Sequence, residues 1–214
     1  MVAPIHSRVG RSGYPYLACS VATVFTAHKP HHRMYEVELK VRADHDQVRQ
    51  RLLDLGATAH DTVTQEDVYY DAPDRNFAET DEALRLRTET TDGEMETKLT
   101  YKGPLVDSDS KTRKEAELEV SDPGTMREIL DGLGYEPAAT VFKERTFYRV
   151  DDCTITLDTV DGLGQFVEAE LEVASEIAPA RERLRDVLER LDLDPDEQIR
   201  TSYLGLLLAA GQSG

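Results

Sequence analysis

Along Tyr35–Arg42 apolar and charged residues alternate without a break. Tyr35, Val37, Leu39 and Val41 share one face; Glu36, Glu38, Lys40 and Arg42 share the other. A period of two marks a half-buried strand. Helical spacing follows, with Val48, Leu52 and Leu55 as an apolar stripe. Asp44 stands as N-cap, Gln47 completes a capping box, and Gly56 ends the helix. Thr62–Tyr70 resumes strand character. Leu84–Thr90 and Glu94–Lys102 then form a hairpin across Thr91-Asp92-Gly93.

The same plan starts again at Arg113. Glu115, Glu117 and Glu119 alternate with Ala116, Leu118 and Val120 in a strand over Arg113–Val120. Asp122 caps a helix that has Pro123 at its first position, Met126, Ile129, Leu130 and Leu133 as apolar positions, and Gly134 at its end. Strand Val141–Val150 follows, and its Tyr148 falls where Tyr69 fell. Cys153–Val160 and Gln165–Ala174 pair across Asp161-Gly162-Leu163-Gly164. Duplicated β-α-β-β-β halves predict an α+β fold, an eight-stranded antiparallel barrel with helices outside, because closure removes exposed edges. Leu184, Val187, Leu188 and Leu191 give Ala180–Leu191 a helical stripe. Thr201–Ala210 reads as a last short helix, and both are expected outside the barrel.

Charge changes this picture in two ways. The chain has a formal net charge of −17 over 214 residues, yet residues 1–33 contain no Asp or Glu. They carry Arg8, Arg11, Lys29, Arg33 and four of the six histidines. The strongly acidic remainder resembles proteins of salt-adapted organisms and argues against nucleic-acid or anionic-membrane partners. Residues 1–33 fit a disordered tail, a targeting peptide or translated upstream sequence. We read Met34 as the true start, with one domain over 34–214. Leu17–Ala27 lacks a clear cleavage site, and no run approaches the roughly 18 apolar residues of a membrane helix.

The second change concerns where cations survive. All six lysines after residue 33 fall in or beside strands. Arg85, Arg87, Lys98, Lys102, Arg113, Lys143 and Arg145 occupy the polar faces of strands whose other faces are apolar. If the apolar faces meet the helices, the polar faces line a lumen. A lumen of charges must hold something charged, since unpaired buried charges are too costly. Glu36, Glu38, Asp158, Glu168 and Glu170 are hard oxygen donors suited to Mg²⁺ or Mn²⁺. The Arg and Lys set suits phosphate oxygens. Closure would set the first and last strands side by side as an acidic wall, with a basic wall facing it across the tunnel.

At these residues the sequence resembles the CYTH family of triphosphate tunnel enzymes, which includes class IV adenylate cyclases and thiamine triphosphatases. The likeness spans Met34–Leu208. It rests on Glu36-Val37-Glu38-Leu39-Lys40, Leu84-Arg85-Leu86-Arg87, Thr100-Tyr101-Lys102-Gly103-Pro104, Lys143-x-Arg145, and Leu157-Asp158 followed by Phe166-x-Glu168-x-Glu170. With Gln65-x-Asp67-x-Tyr69, the string is most similar to class IV adenylate cyclases.

The resemblance implies a cytoplasmic enzyme that takes a small-molecule triphosphate and leaves a homodimer open. Glu36, Glu38, Glu168 and Glu170 would bind one or two divalent metals with Asp158 beside them. Lys40, Arg85, Arg87, Lys98, Lys102, Arg113, Lys143 and Arg145 would hold the triphosphate, with Lys40, Lys102 and Arg145 acting on the developing charge. The implied reaction converts ATP to cyclic AMP and pyrophosphate. A triphosphatase acting on inorganic, thiamine or nucleoside triphosphate and a binding module without turnover are the alternatives. No Walker loop, Rossmann fingerprint or nucleophile elbow is present. Cys19 and Cys153 fit no metal spacing and read as structural thiols.

Overall fold

Eight strands realise the alternation, and the helical stripes fall between them where the repeat puts them. The computed structural model describes residues 35–106 and 112–211. The readings made for residues 1–33 and for Met34 lie outside the described residues. The order is β1 (Tyr35–Arg42), α1 (His45–Asp54), β2 (Ala59–Asp71), a short α2 (Phe77–Thr80), β3 (Ala83–Thr91), β4 (Glu94–Lys102) and β5 (Arg113–Glu119). Then come α3 (Pro123–Gly132), β6 (Glu136–Val150), β7 (Cys153–Val160), β8 (Gly164–Val173), α4 (Ile177–Arg190), a single 3₁₀ turn (Pro195–Glu197) and α5 (Tyr203–Gly211).

Local chemistry sets the ends of these elements. Asp44 accepts from the backbone amides of Asp46 and Gln47, and Asp122 from that of Thr125, so each repeat helix starts on an aspartate cap. Gly134, with φ of +84°, carries the chain out of α3, and a methyl group there would meet Pro73 at 3.2 Å. Asp92 and Gly93, with φ of 53° and 87°, supply the left-handed pair that closes the β3–β4 hairpin.

All strand pairs are antiparallel and close in the order β1-β5-β4-β3-β2-β6-β7-β8. As expected, β1 and β8 are neighbours, with Glu38 opposite Glu170 and Lys40 opposite Glu168. The β1–β5 seam is short, running through Tyr35↔Lys114 and Glu36↔Arg113. Farther along β1, the Ile199 amide donates to the Lys40 carbonyl at 2.6 Å, so the segment after α4 covers part of that edge.

The outward apolar faces build the core. Val37, Leu39, Val41, Ile155, Leu157, Val167 and Ala169 pack against Val48 and Leu52 of α1 and Leu184 and Leu188 of α4. Each fully buried aliphatic side chain there contributes about 1.5–3 kcal/mol. A second cluster joins Tyr70, Leu84 and Leu86 to Leu130 of α3 and Phe77 of α2. The third closes one end of the barrel. Its members are Tyr69, Val141, Val160 and Phe166, with Tyr203 from α5. Helix α5 lies outside the barrel as expected, but it sends Tyr203 inward. No helix among the described residues is long and apolar enough to cross a membrane.

Candidate functional site

With the apolar faces outside, the charged faces turn inward around a cavity of about 1020 Å³. Twelve of the thirteen candidate residues line it: Glu36, Glu38, Lys40, Arg85, Arg87, Lys98, Lys102, Arg113, Lys143, Arg145, Glu168 and Glu170. Asp158 stands behind them with no exposed surface.

The expected division into an acidic and a basic wall holds in outline: Glu36, Glu38, Glu168 and Glu170 share the paired strands β1 and β8, while Arg85, Arg87, Lys98 and Lys102 share the paired strands β3 and β4 on the other side of the ring. Each wall also holds opposite charges, because buried charges next to one another must pair. On β1 and β8, Lys40 Nζ lies 3.5 Å from Glu38 and 3.4 Å from Glu168. Burial works against the Lys40 charge, but Glu38 and Glu168 outweigh it and raise its pKa. Arg145 on β6 forks onto Asp158, with Nε to Oδ1 at 2.6 Å, and also reaches Glu168. Asp158 accepts a third bond from Tyr203 Oη at 2.8 Å. Its oxygens therefore orient Arg145 and Tyr203, and Asp158 serves as a brace behind the lumen wall.

A second knot surrounds Asp67 on β2. Arg87 forks onto it at 2.6 and 2.7 Å, Lys143 Nζ lies 3.3 Å away, and Arg85 lies 3.5 Å away. Burial pushes the Asp67 carboxyl up, yet Lys143, Arg85 and Arg87 together hold it well below the usual range. Burial, with Arg87 and Arg145 nearby, pushes Lys143 down to about 7 against the pull of Asp67. Lys102 bridges Glu36, at 3.3 Å, and Glu115. Arg113 donates to the Asp81 carbonyl at 2.8 Å and to its carboxylate at 3.3 Å. Lys98 is the most exposed of the set and pairs with Glu117 at 3.6 Å.

Two features of the lumen match an anionic ligand carrying a divalent cation. Buried Arg85 Nε and Arg113 Nε have no hydrogen-bond partner, so two donors remain for an acceptor such as a phosphate oxygen. Carboxylates are meanwhile in local excess around Glu170. Burial, and then Glu36, Glu168 and Glu38 nearby, push it up to about 8 although Arg145 opposes them. Glu36, Glu38, Glu168 and Glu170 thus form an all-oxygen donor set of the kind Mg²⁺ and Mn²⁺ prefer. Among the described residues no three such side chains already stand in coordinating geometry. Lys40 and Arg145 sit against Glu38 and Glu168 and would have to yield to a bound cation.

This crowding has a measurable consequence. A carboxyl whose pKa is higher folded than unfolded makes the native state bind the extra proton. Stability in chelator is therefore expected to fall as pH rises from 5 to 7, between the ordinary carboxyl value and about 8. Thermal melts should show a decline that Glu170→Gln removes; an unchanged pH slope in that variant would refute the assignment.

Sequence reasoning missed Asp67, Glu115, Asp81 and Tyr203. Asp67 and Glu115 were legible in part, since they share strand parity with Gln65 and Arg113 and so face inward. Asp67 is also directly cross-strand from Arg87. Nothing local signals Tyr203, which reaches the lumen only through the placement of α5.

Comparison with known proteins agrees with this architecture. The CYTH domain matches residues 34–203. A Methanocaldococcus jannaschii protein provisionally named an adenylate cyclase is 40% identical over 176 residues, covering 81% of this chain and 98% of that protein. Adenylate cyclase CyaB of Aeromonas hydrophila is 30% identical over 173 residues, covering 79% and 86% of the two chains. The solved structure of protein PH1819 from Pyrococcus horikoshii superposes with a TM-score of 0.76 at 41% identity, covering 82% of this chain and 99% of that one.

Proposed function

The chain belongs to the CYTH family, and from that premise we propose that it captures a metal-complexed triphosphate in its lumen and converts ATP to cyclic AMP and pyrophosphate. The observation that carries this reading is the pairing of unsatisfied guanidinium donors with a crowded carboxylate wall inside one closed barrel. The names of two relatives, which describe adenylate cyclases, support the choice of ATP.

Glu36, Glu38, Glu168 and Glu170 would hold Mg²⁺ or Mn²⁺, which supplies charge neutralisation and lowers the pKa of the attacking hydroxyl. The protein's own part is positional and electrostatic. Arg85 and Arg113 offer their free Nε donors to phosphate oxygens, Arg87 adds a guanidinium, and Lys143 adds a point charge whose magnitude depends on pH near 7. Lys98 stands nearest the mouth. Lys40, Lys102 and Arg145 face the reacting phosphate and would stabilise charge as pyrophosphate departs. Asp158 and Asp67 keep those cations aimed. In the reaction the ribose 3′-oxygen bonds to the α-phosphorus, the bridge to the β-phosphate breaks, and the hydroxyl proton leaves to solvent.

Incubating the protein with ATP, and separately with inorganic triphosphate, under Mn²⁺ tests this reading. Cyclic AMP and pyrophosphate in equal amounts is the expected outcome. Phosphate release without cyclic AMP would overturn the cyclase assignment and make the protein a triphosphatase. Binding without turnover of either compound would make it a binding module.

A further inference from the structure

Helix α5 reaches the charged lumen through a residue of its first turn. Ser202 Oγ accepts from the Gly205 amide at 3.1 Å and starts the helix, which makes Tyr203 its first residue. Tyr203 is 5% exposed and stands edge-to-face on Phe166, ring centroids 5.0 Å apart, within the cluster that closes that end of the barrel. A phenylalanine would pack there equally well. Packing therefore accounts for neither the hydroxyl nor the ammonium groups beside the ring.

The hydroxyl donates to Asp158 Oδ2 at 2.8 Å, the same oxygen that accepts from Arg145 Nη2 at 2.5 Å. Asp158 has no exposed surface, and its other oxygen accepts from Arg145 Nε at 2.6 Å, so the plane of the carboxylate sets the plane of the guanidinium. Tyr203 steadies the carboxylate onto which Arg145 is forked. Its ring lies 4.4 Å from Lys40 Nζ and 5.4 Å from Lys143 Nζ, both within reach of a cation–π contact. The chain just before α5 holds Lys40 a second time, since the Ile199 amide donates to its carbonyl at 2.6 Å. Tyr203 thus touches Lys40 directly and Arg145 through Asp158, two of the three cations assigned to the departing pyrophosphate. Arg85 and Arg113, whose free Nε donors are assigned to the bound phosphates, are held instead by Asp67 and Asp81.

We propose that Tyr203 is a positioning residue for turnover: its ring fixes the Lys40 ammonium, and its hydroxyl, through Asp158, fixes the Arg145 guanidinium. This role rests on the triphosphate-turnover reading and deepens it. The groups that hold the ligand and the groups set for the reaction are then separately supported, and α5 supports only the second.

The test measures kcat and KM with Mn²⁺ on ATP, read as cyclic AMP, and on inorganic triphosphate, read as phosphate. Wild type, Tyr203→Phe and Tyr203→Leu are compared on whichever compound wild type turns over, with circular dichroism to show that each is folded. A hydrogen bond to a charged group is worth about tenfold in an equilibrium. Tyr203→Phe should lower kcat by about that factor and leave KM little changed. Tyr203→Leu loses the ring as well and should fall about a further fivefold. In an Asp158→Asn background Tyr203→Phe should cost little more, because the hydroxyl acts through that carboxylate. If Asp158→Asn does not fold, the Phe and Leu series decides alone. Normal kcat in Tyr203→Phe, losses carried by KM, equal rates for the Phe and Leu variants, or full additivity with Asp158→Asn would each overturn the role while leaving an active wild type. If wild type turns over neither compound, the turnover reading falls and the role with it.

Discussion

Glu168→Gln is expected to lower turnover by a hundredfold or more at saturating Mn²⁺. The expectation follows from three duties of one buried carboxylate. Glu168 faces the cavity as a metal-ligand candidate, lies 3.4 Å from Lys40 Nζ, and accepts from Arg145. A neutral amide is a poorer donor to a hard cation and gives neither positive group a counter-charge. Losing one preorganised electrostatic contact at a reacting centre typically costs on the order of a hundred- to a thousandfold. The substitution changes little volume, so a folded protein is expected and circular dichroism can check it. Glu38→Ala removes the partner on the opposite side of Lys40, 3.5 Å away, and should also abolish activity. Near-normal rates in both variants would mean that chemistry does not pass through this wall.

The second large effect is on stability. Asp67→Asn leaves Arg85, Arg87 and Lys143 facing one another with their shared counter-ion gone. Removing one partner of a buried ion pair costs about 3–5 kcal/mol. For a domain of this size that lowers the melting temperature by roughly 10 °C. Inorganic triphosphate should recover more stability in Asp67→Asn than in wild type, because it restores negative charge among the same cations. The pH dependence has a definite sign. Asp67 titrates well below its ordinary value when folded, so its contribution is complete above the unfolded carboxyl pKa and is lost as pH falls through the folded one. A melting temperature within 2–3 °C of wild type, an allowance for about 1 kcal/mol, would show that the knot is not what holds this wall.

Residues with a one-strand signature were the legible ones. Alternation fixed which face of β1, β3 and β8 looks inward, while the register that sets Lys40 opposite Glu168 came only with the folded barrel. Boundaries drifted where tertiary pairing extends a strand past its pattern. β6 begins at Glu136 because β2 supplies partners as far as Asp71, although Glu136–Ala139 carries no clear alternation. The ionic connectivity was not readable, since which carboxylate neutralises which cation depends on how neighbouring strands stagger. The two walls were readable in outline from strand faces and closure, whereas the opposite charges set within them, Lys40 among the carboxylates and Asp67 among the cations, were not. Tyr203 illustrates the same limit. Its helix is legible, but its contacts with Asp158 and, at 4.4 Å from its ring centroid, with Lys40 Nζ arise only when the chain end crosses the barrel mouth.

The most direct test of the central claim is calorimetric titration of inorganic triphosphate into wild-type protein and Arg85→Ala, with Mn²⁺ and again with chelator. One ligand per chain in wild type, with affinity that requires Mn²⁺ and is sharply weakened by Arg85→Ala, is the predicted result. Binding of equal strength in chelator, or affinity indifferent to Arg85, would contradict a metal–triphosphate site in the lumen.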